Sequence, residues 1–259
     1  MLVIILGLFA TGLAAGMMGA LLGLGGGIFL VPALTLLFHL PIRVAVGASL
    51  VGVIATSAGV AAVMPPGRGA DVSLALRLEI ATTAGAIAGG ILAGYVSPRA
   101  LGVLFALAVF FTAAYTLYKA RRTASKALPE AMFSRRYTVH HWPAGISMSL
   151  LAGMASGLLG VGGGFIKVPI MYAIMGVPLG IATATSNFMV GITAAASVFV
   201  YYGRGDVHPL VVIPTALGIF TGAMLGVRIM PRLRVAWLRT ALVILMVVIG
   251  FQMLMHSLR

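Results

Sequence analysis

Two glycine runs stand 137 residues apart, Gly25, Gly26 and Gly27 in GLGGG at 23–27 and Gly162, Gly163 and Gly164 in GVGGG at 160–164. Each precedes a short apolar stretch, Ile28–Phe38 and Phe165–Gly176. Backbone amides at a helix start, unscreened by side chains and at the positive end of the helix dipole, suit an anion. Glycine also serves close helix packing, and the chain has 34 glycines, so the weight falls on two runs in register rather than on any single residue. Three residues into the second stretch lies Lys167, where the first has Leu30. A cation at that depth is costly and reads as a partner for an anion, with snorkelling to an interface as the structural alternative. Further on, VGASLVG at 46–52 aligns with TATSNFMVG at 183–191, which pairs Ser49 with Ser186 and adds Thr185 and Asn187. Hydroxyl and amide donors can replace the hydration of an oxyanion, although they also bond helix to helix. The two glycine runs with Ser49, Lys167, Ser186 and Asn187 form the candidate substrate-binding set.

The missing groups narrow the chemistry. All four acids, Asp71, Glu79, Glu130 and Asp206, read as loop or helix-edge residues, and only Glu79, beside Arg77, could enter a membrane. A cation substrate is therefore disfavoured, and proton coupling has few candidates beyond Glu79. Cysteine is absent, so thiolate metal sites and thiol relays are excluded. His140 and His141 are adjacent rather than four apart, which is poor metal-ligand spacing. No HExxH, intramembrane carboxylate pair or Ser/His dyad is present, so no enzyme, cofactor or metal is expected.

The elements that must hold these groups are apolar throughout. Of 259 residues 61% are hydrophobic and 8% charged, with mean hydropathy +1.14, whereas a soluble domain carries about 25% charged residues. This is an all-α integral membrane protein. Apolar runs cover Met1–Leu22, Ile42–Met64, Ile80–Val96 and Ala100–Tyr118, then Pro143–Leu159, Leu179–Tyr202, Leu210–Val227 and Ala236–Met255. Ile28–Phe38 would be a helix of about 16 Å, half the hydrocarbon core. GMMGALLGLGGGIFLVP at 16–32 matches GMASGLLGVGGGFIKVP at 153–169 at ten of seventeen positions, so the chain is a tandem duplication: repeats at 1–118 and 142–259, joined by a basic linker at 119–141. Met1–Leu22 recurs in mid-chain and so reads as structure, not as a signal peptide.

Basic residues stay cytoplasmic. The linker holds Lys119, Arg121, Arg122, Lys126, Arg135 and Arg136 against Glu130, and the last loop region holds Arg228, Arg232, Arg234 and Arg239, whereas its first-repeat counterpart holds only Arg99. That asymmetry favours two inverted repeats, each a Gly-rich re-entrant helical hairpin plus three transmembrane helices, with the linker cytoplasmic and both termini outside. A parallel arrangement, in which the Gly-rich segment is one broken crossing, is the alternative. The charge of +13 is thus a topology signal, and nucleic acid is not an expected partner. Arg68 with Asp71 and Arg204 with Asp206 read as turn ion pairs, Arg43 and His39 as interfacial, and Trp142 and Trp237 as interfacial anchors.

With GALLGLGGGIFLVP and GLLGVGGGFIKVP duplicated, followed by GASLVG and ATSNFMVG, the whole chain resembles the sulfite exporter TauE/SafE family, including its two-repeat organisation and basic central linker. The resemblance implies a bacterial inner-membrane carrier, outward in direction, for sulfite, organosulfonates such as sulfoacetate, or related small oxyanions. Lys167 has no first-repeat counterpart and is not carried over as a family ligand. The expected partners are a small anionic substrate and membrane lipid, with a homodimer as a further expectation. An anion channel using the same donors is the competing reading.

Overall fold

The computed structural model describes residues 2–22, 25–63, 69–123, 137–229 and 235–258. Arg68, Lys126, Glu130, Arg135, Arg136, Arg232 and Arg234 lie outside the described residues, as do the side chains of Lys119, Arg121, Arg122, Trp237 and Arg239. The described elements are helical: α1 (Leu2–Leu22), α2 (Gly27–Leu36), α3 (Ile42–Val63), α4 (Val72–Tyr95), α5 (Pro98–Thr123), α6 (Trp142–Leu159), α7 (Gly164–Pro169), α8 (Leu179–Gly203), α9 (Pro209–Ile229) and α10 (Val235–Leu258). Among the described residues seven helices, α1, α3, α4, α5, α6, α8 and α9, are long and apolar enough to cross a membrane. α2, and α7 with the wider turn that follows it, are too short.

Local chemistry sets the boundaries. α6 begins with Pro143 in its first turn and ends at Gly160, which takes the left-handed conformation (φ 69°) while its N–H donates to Ser156 O. α7 carries Pro169, which has no N–H to donate, and the chain relaxes there into a π turn, Ile170–Ile174, with Met175 N–H reaching Ile170 O. α4 starts earlier than the sequence pattern predicts, at Val72 rather than near Ile80. Asp71 caps it, its Oδ1 accepting the Leu74 N–H at 2.9 Å, and Leu74, Ala75 and Leu78 enter the core. Eight residues into this helix Glu79 is buried, not at an edge.

Glycines decide which helices pair. A side-chain carbon at Gly12 or Gly16 of α1 would strike the backbone of Thr215 or Ile219, and one at Gly222 or Gly226 of α9 would strike that of Leu13 or Met17. The same pattern recurs between α4 and α6: Gly85 against Leu150, Gly89 against Met154, Gly153 against Thr82. Positions advance together in both pairs, so α1 runs in the same sense as α9, and α4 as α6. Adding 137 to a residue of the first repeat, and subtracting it from its contact, turns one set of approaches into the other. Each repeat thus lends a helix to the other, and the backbones meet as small-residue packing allows. α3 meets α8 at the centre, where Ser57 Oγ donates to Asn187 O at 2.7 Å while Val53 and Val190 face the same glycines, so these two helices run oppositely. α5 packs against α10 at the periphery.

Candidate functional site

The two glycine turns meet at the α3–α8 crossing. Gly25 and Gly26 have φ of 85° and 72°, and Gly162 and Gly163 have 83° and 72°, values that favour glycine. Side-chain carbons at Gly25 and at Gly162 would press on the same two residues, Val53 and Val190, and one at Gly27 would strike Gly160 O. The turns therefore sit back to back. Gly23 and Leu24 lie outside the described residues. Phe29 and Leu30 amides donate to Gly26 O, and Ile166 and Lys167 amides to Gly163 O, starting the two short helices alike. The Gly27 amide is not free for an anion, because its N–H donates to Gly25 O at 2.9 Å.

The flanking hydroxyls differ between the halves. Ser49 Oγ donates to Gly160 O at 2.7 Å, tying α3 to the opposite turn, and Thr56 Oγ1 reaches Gly25 O at 3.3 Å. Ser186, its repeat mate, is fully buried with no hydrogen-bond partner among the described residues. The matching acceptor, Gly23, lies outside them. Thr185 Oγ1 accepts the Asp71 N–H at 2.9 Å, a structural role at the start of α4, and Asn187 is buried beside Ser186.

Lys167 is 1% exposed, and its Nζ donates to Thr193 Oγ1 at 2.6 Å. Thr193 Oγ1 lies 2.6 Å from Glu79 Oε1, and Glu79 Oε2 is 3.7 Å from Lys167 Nζ. The cation does not snorkel to an interface; it is paired inside the protein with Glu79, the one acid that the sequence allows to enter the membrane and that the hydropathy pattern puts at a helix edge. Thr193 stands 137 residues after Thr56, so the repeat itself could have flagged it. Glu79 offered no such signal, since the packing offset brings Ala216 to its place in α9 and Leu30 to that of Lys167 in α2.

The sequence profile of the family described as sulfite exporter TauE/SafE matches residues 8–253, nearly all of this duplicated helical chain. The chain belongs to the sulfite exporter TauE/SafE family. It is 27% identical over 262 residues to "Probable membrane transporter protein YunE" of Bacillus subtilis (strain 168), covering 95% of this chain and 96% of that one. To "Probable membrane transporter protein YdhB" of the same organism it is 26% identical over 230 residues, covering 88% and 89%. A shorter match, 38% identical over 90 residues, covers 34% of this chain and 18% of "Sulfite exporter TauE/SafE family protein 3" of Arabidopsis thaliana. No solved structure matches the chain.

Around the centre of this TauE/SafE protein, charged residues hold helix ends. Arg204 Nε bonds Asp206 Oδ2 at 3.0 Å, as the loop pattern predicts, while its Nη1 reaches Gly90 O and its guanidinium lies 4.2 Å from the Tyr201 ring centroid. Arg43 Nη2 donates to Gly94 O and Val96 O, both at 3.0 Å, closing the C-terminus of α4. Arg77 stacks over Trp142 at 5.3 Å. Tyr137, where the described chain resumes after the linker, donates to Asp71 Oδ2 and lines a cleft of about 330 Å³ with Gly69, Ala70 and Ile181. His140 and His141 turn to different partners, Thr138 and Ile174 O.

Proposed function

We propose that this TauE/SafE membrane transporter is a secondary carrier that exports small sulfur-containing anions, sulfite or organosulfonates such as sulfoacetate, across the bacterial inner membrane. The anion binds between the two glycine turns, with Ser186, Asn187 and Lys167 as donors and Ser49, whose one hydroxyl proton goes to Gly160 O, holding the opposite turn in place, and moves by alternating access. The observation that carries this reading is the meeting of two glycine turns, each opening a short helix, at a crossing flanked by the buried Ser186 hydroxyl, which has no hydrogen-bond partner among the described residues. Polar backbone at such depth is tolerated where it lines a binding cavity. The name of the Arabidopsis relative supports sulfite as a first substrate to try.

The packing senses also support inverted repeats. With α3 and α4 as successive crossings, the parallel pairs α1 with α9 and α4 with α6, and the opposed pair α3 with α8, give α1 and α3 one common sense. A chain achieves that when α2 returns to the side it came from, as a re-entrant hairpin does. The second half then follows the same path upside down, and the positive-inside bias of the linker charges supports a cytoplasmic linker with both termini outside.

Reconstitution into liposomes tests the reading. Wild type should carry sulfite or sulfoacetate saturably, and Gly163→Leu and Lys167→Ala should each lower uptake at least about tenfold, equivalent to ~1.4 kcal/mol of lost interaction. If wild type moves none of sulfite, sulfoacetate, taurine and sulfate, or if both variants match it, the site is wrong.

A further inference from the structure

Lys167 and Glu79 come from different repeats and are 1% and 5% exposed. Glu79 Oε1 accepts from Thr193 at 2.6 Å and from Thr83 at 3.3 Å. Glu79 Oε2 is buried without a hydrogen-bond partner among the described residues, although the Lys167 ammonium is only 3.7 Å away. Thr193 stands between the charges with a single hydroxyl proton, for which Met189 O at 2.9 Å competes with Glu79. The arrangement is neutral as a whole, yet the carboxylate is left partly unsolvated, and a charge pair retained under those conditions in a membrane span calls for a function.

We propose that Glu79 Oε2 is a proton-binding site, and that each monovalent anion reaching Lys167 is accompanied by one proton on Glu79. This rests on the anion-carrier reading and adds to it a coupling ion and a substrate class. Charge balance in a low-dielectric interior carries the argument. An anion arriving at Lys167 leaves one ammonium against two negative groups, and a proton on Glu79 restores neutrality. The protonated carboxyl then has an O–H to donate, and the anion becomes its acceptor. A dianion would remain uncompensated by one charge, so bisulfite and singly charged sulfonates fit, and sulfate does not; the proposal thereby narrows the carrier reading, because sulfoacetate with both acidic groups ionised is also a dianion and would need a second proton. The repeat counterparts Leu30, Thr56 and Ala216 hold no titratable group, which sets one such site per chain. Movement with a proton is electrically neutral, so the membrane potential drops out and export runs where the outward anion gradient exceeds any opposing proton gradient.

Other titratable groups on the surrounding elements are engaged or turned away. On α4, Arg77 is exposed against Trp142, and Asp71 caps the helix start. α6 contains none. The segment after Lys167 offers Tyr172, 47% exposed, and α8 offers Tyr201, whose hydroxyl donates to Gly157 O, and exposed Tyr202. Tyr137, His140 and His141 bond Asp71, Thr138 and Ile174.

Methanesulfonate, ionised at every working pH, is the probe, because sulfite carries protons of its own. In the purified full chain, infrared difference spectra should show a protonated carboxyl band on adding methanesulfonate, lost in Glu79→Gln. In liposomes with an internal pH dye, wild type should move close to one proton per methanesulfonate and carry sulfate at least tenfold more slowly. Glu79→Gln, checked for folding by gel filtration, should exchange methanesulfonate without proton movement. Methanesulfonate transport without protons in wild type, or proton movement retained in Glu79→Gln, overturns the proposal while leaving the carrier standing. If no sulfur anion binds or moves, the carrier reading fails and the proton site with it. Should Glu79→Gln not fold, the wild-type stoichiometry and carboxyl band decide alone.

Discussion

Gly26 and Gly163 share one backbone conformation, φ 72° in both, and occupy matching places in the two turns, so alanine at each carries the same left-handed penalty, about 1–2 kcal/mol. What differs is the room. A side-chain carbon at Gly163 would lie 2.7 Å from Ala152 O and 3.3 Å from Ser156 Cβ, and the carbonyl belongs to the body of α6. At Gly26 the nearest atoms are Thr56 Oγ1 at 3.1 Å and Ala15 O at 3.2 Å, and the hydroxyl can turn aside. Relieving the tighter contact means shifting a helix backbone by about half an ångström, an overpacking cost of ~1–3 kcal/mol beyond the shared term. At about 2–4 °C per kcal/mol for a chain of this size, Gly163→Ala should melt several degrees below Gly26→Ala, and both below wild type. Melting of the detergent-purified protein, followed by tryptophan fluorescence and gel filtration, measures this directly. Equal losses, or a larger loss for Gly26→Ala, would refute the contact argument; no loss in either would refute the left-handed turns.

Ser49→Ala removes the donor to a buried carbonyl at Gly160 and should cost ~1–3 kcal/mol of stability, whereas Ser186→Ala, with no partner to lose among the described residues, should melt like wild type and show its effect as a raised half-saturation concentration for sulfite transport. Gly89→Leu would drive a side chain into the Met154 backbone where α4 meets α6 and should leave no monodisperse peak on gel filtration; Gly203→Ala, with nothing within 4 Å, should elute and melt unchanged. Arg204→Lys keeps the charge but cannot span Asp206, Gly90 O and the Tyr201 ring together, and should lower stability by ~1 kcal/mol in melting curves.

Much of this molecule is legible in its residues because backbone requirements leave marks in composition. A turn that needs left-handed residues shows as GGG, and helices that touch backbone to backbone show glycines every four residues, as at Gly85 and Gly89 or Gly222 and Gly226. Duplication doubles each mark. What hydropathy misplaces is the start of α4: MPPGRGADVSLALR reads as a polar break because Arg77 and Glu79 depress the average, yet Asp71 caps a helix there and the apolar side of that first turn is buried. The charges belong to opposite sides of one helix, Arg77 outward to Trp142 and Glu79 inward to Thr193, a distinction an average along the chain removes.

That misplacement bears on how a duplicated scaffold acquires a direction of chemistry. The two halves share turns, short helices and the threonines Thr56 and Thr193, so symmetry alone would give two equivalent half-sites. Charge appears in one of them. Lys167 stands against Leu30 and Glu79 against Ala216, and the two charged replacements meet each other across Thr193 rather than scattering over the fold. A lysine alone at this depth would leave an uncompensated buried charge, and so would a glutamate alone; each is tolerable because the other is present. Comparison of the repeats could therefore locate Lys167 as a departure from symmetry, but only the three-dimensional pairing of α4 with the second-repeat helices α6 and α8 supplies its partner, because the residue that compensates it comes from the opposite half of the sequence.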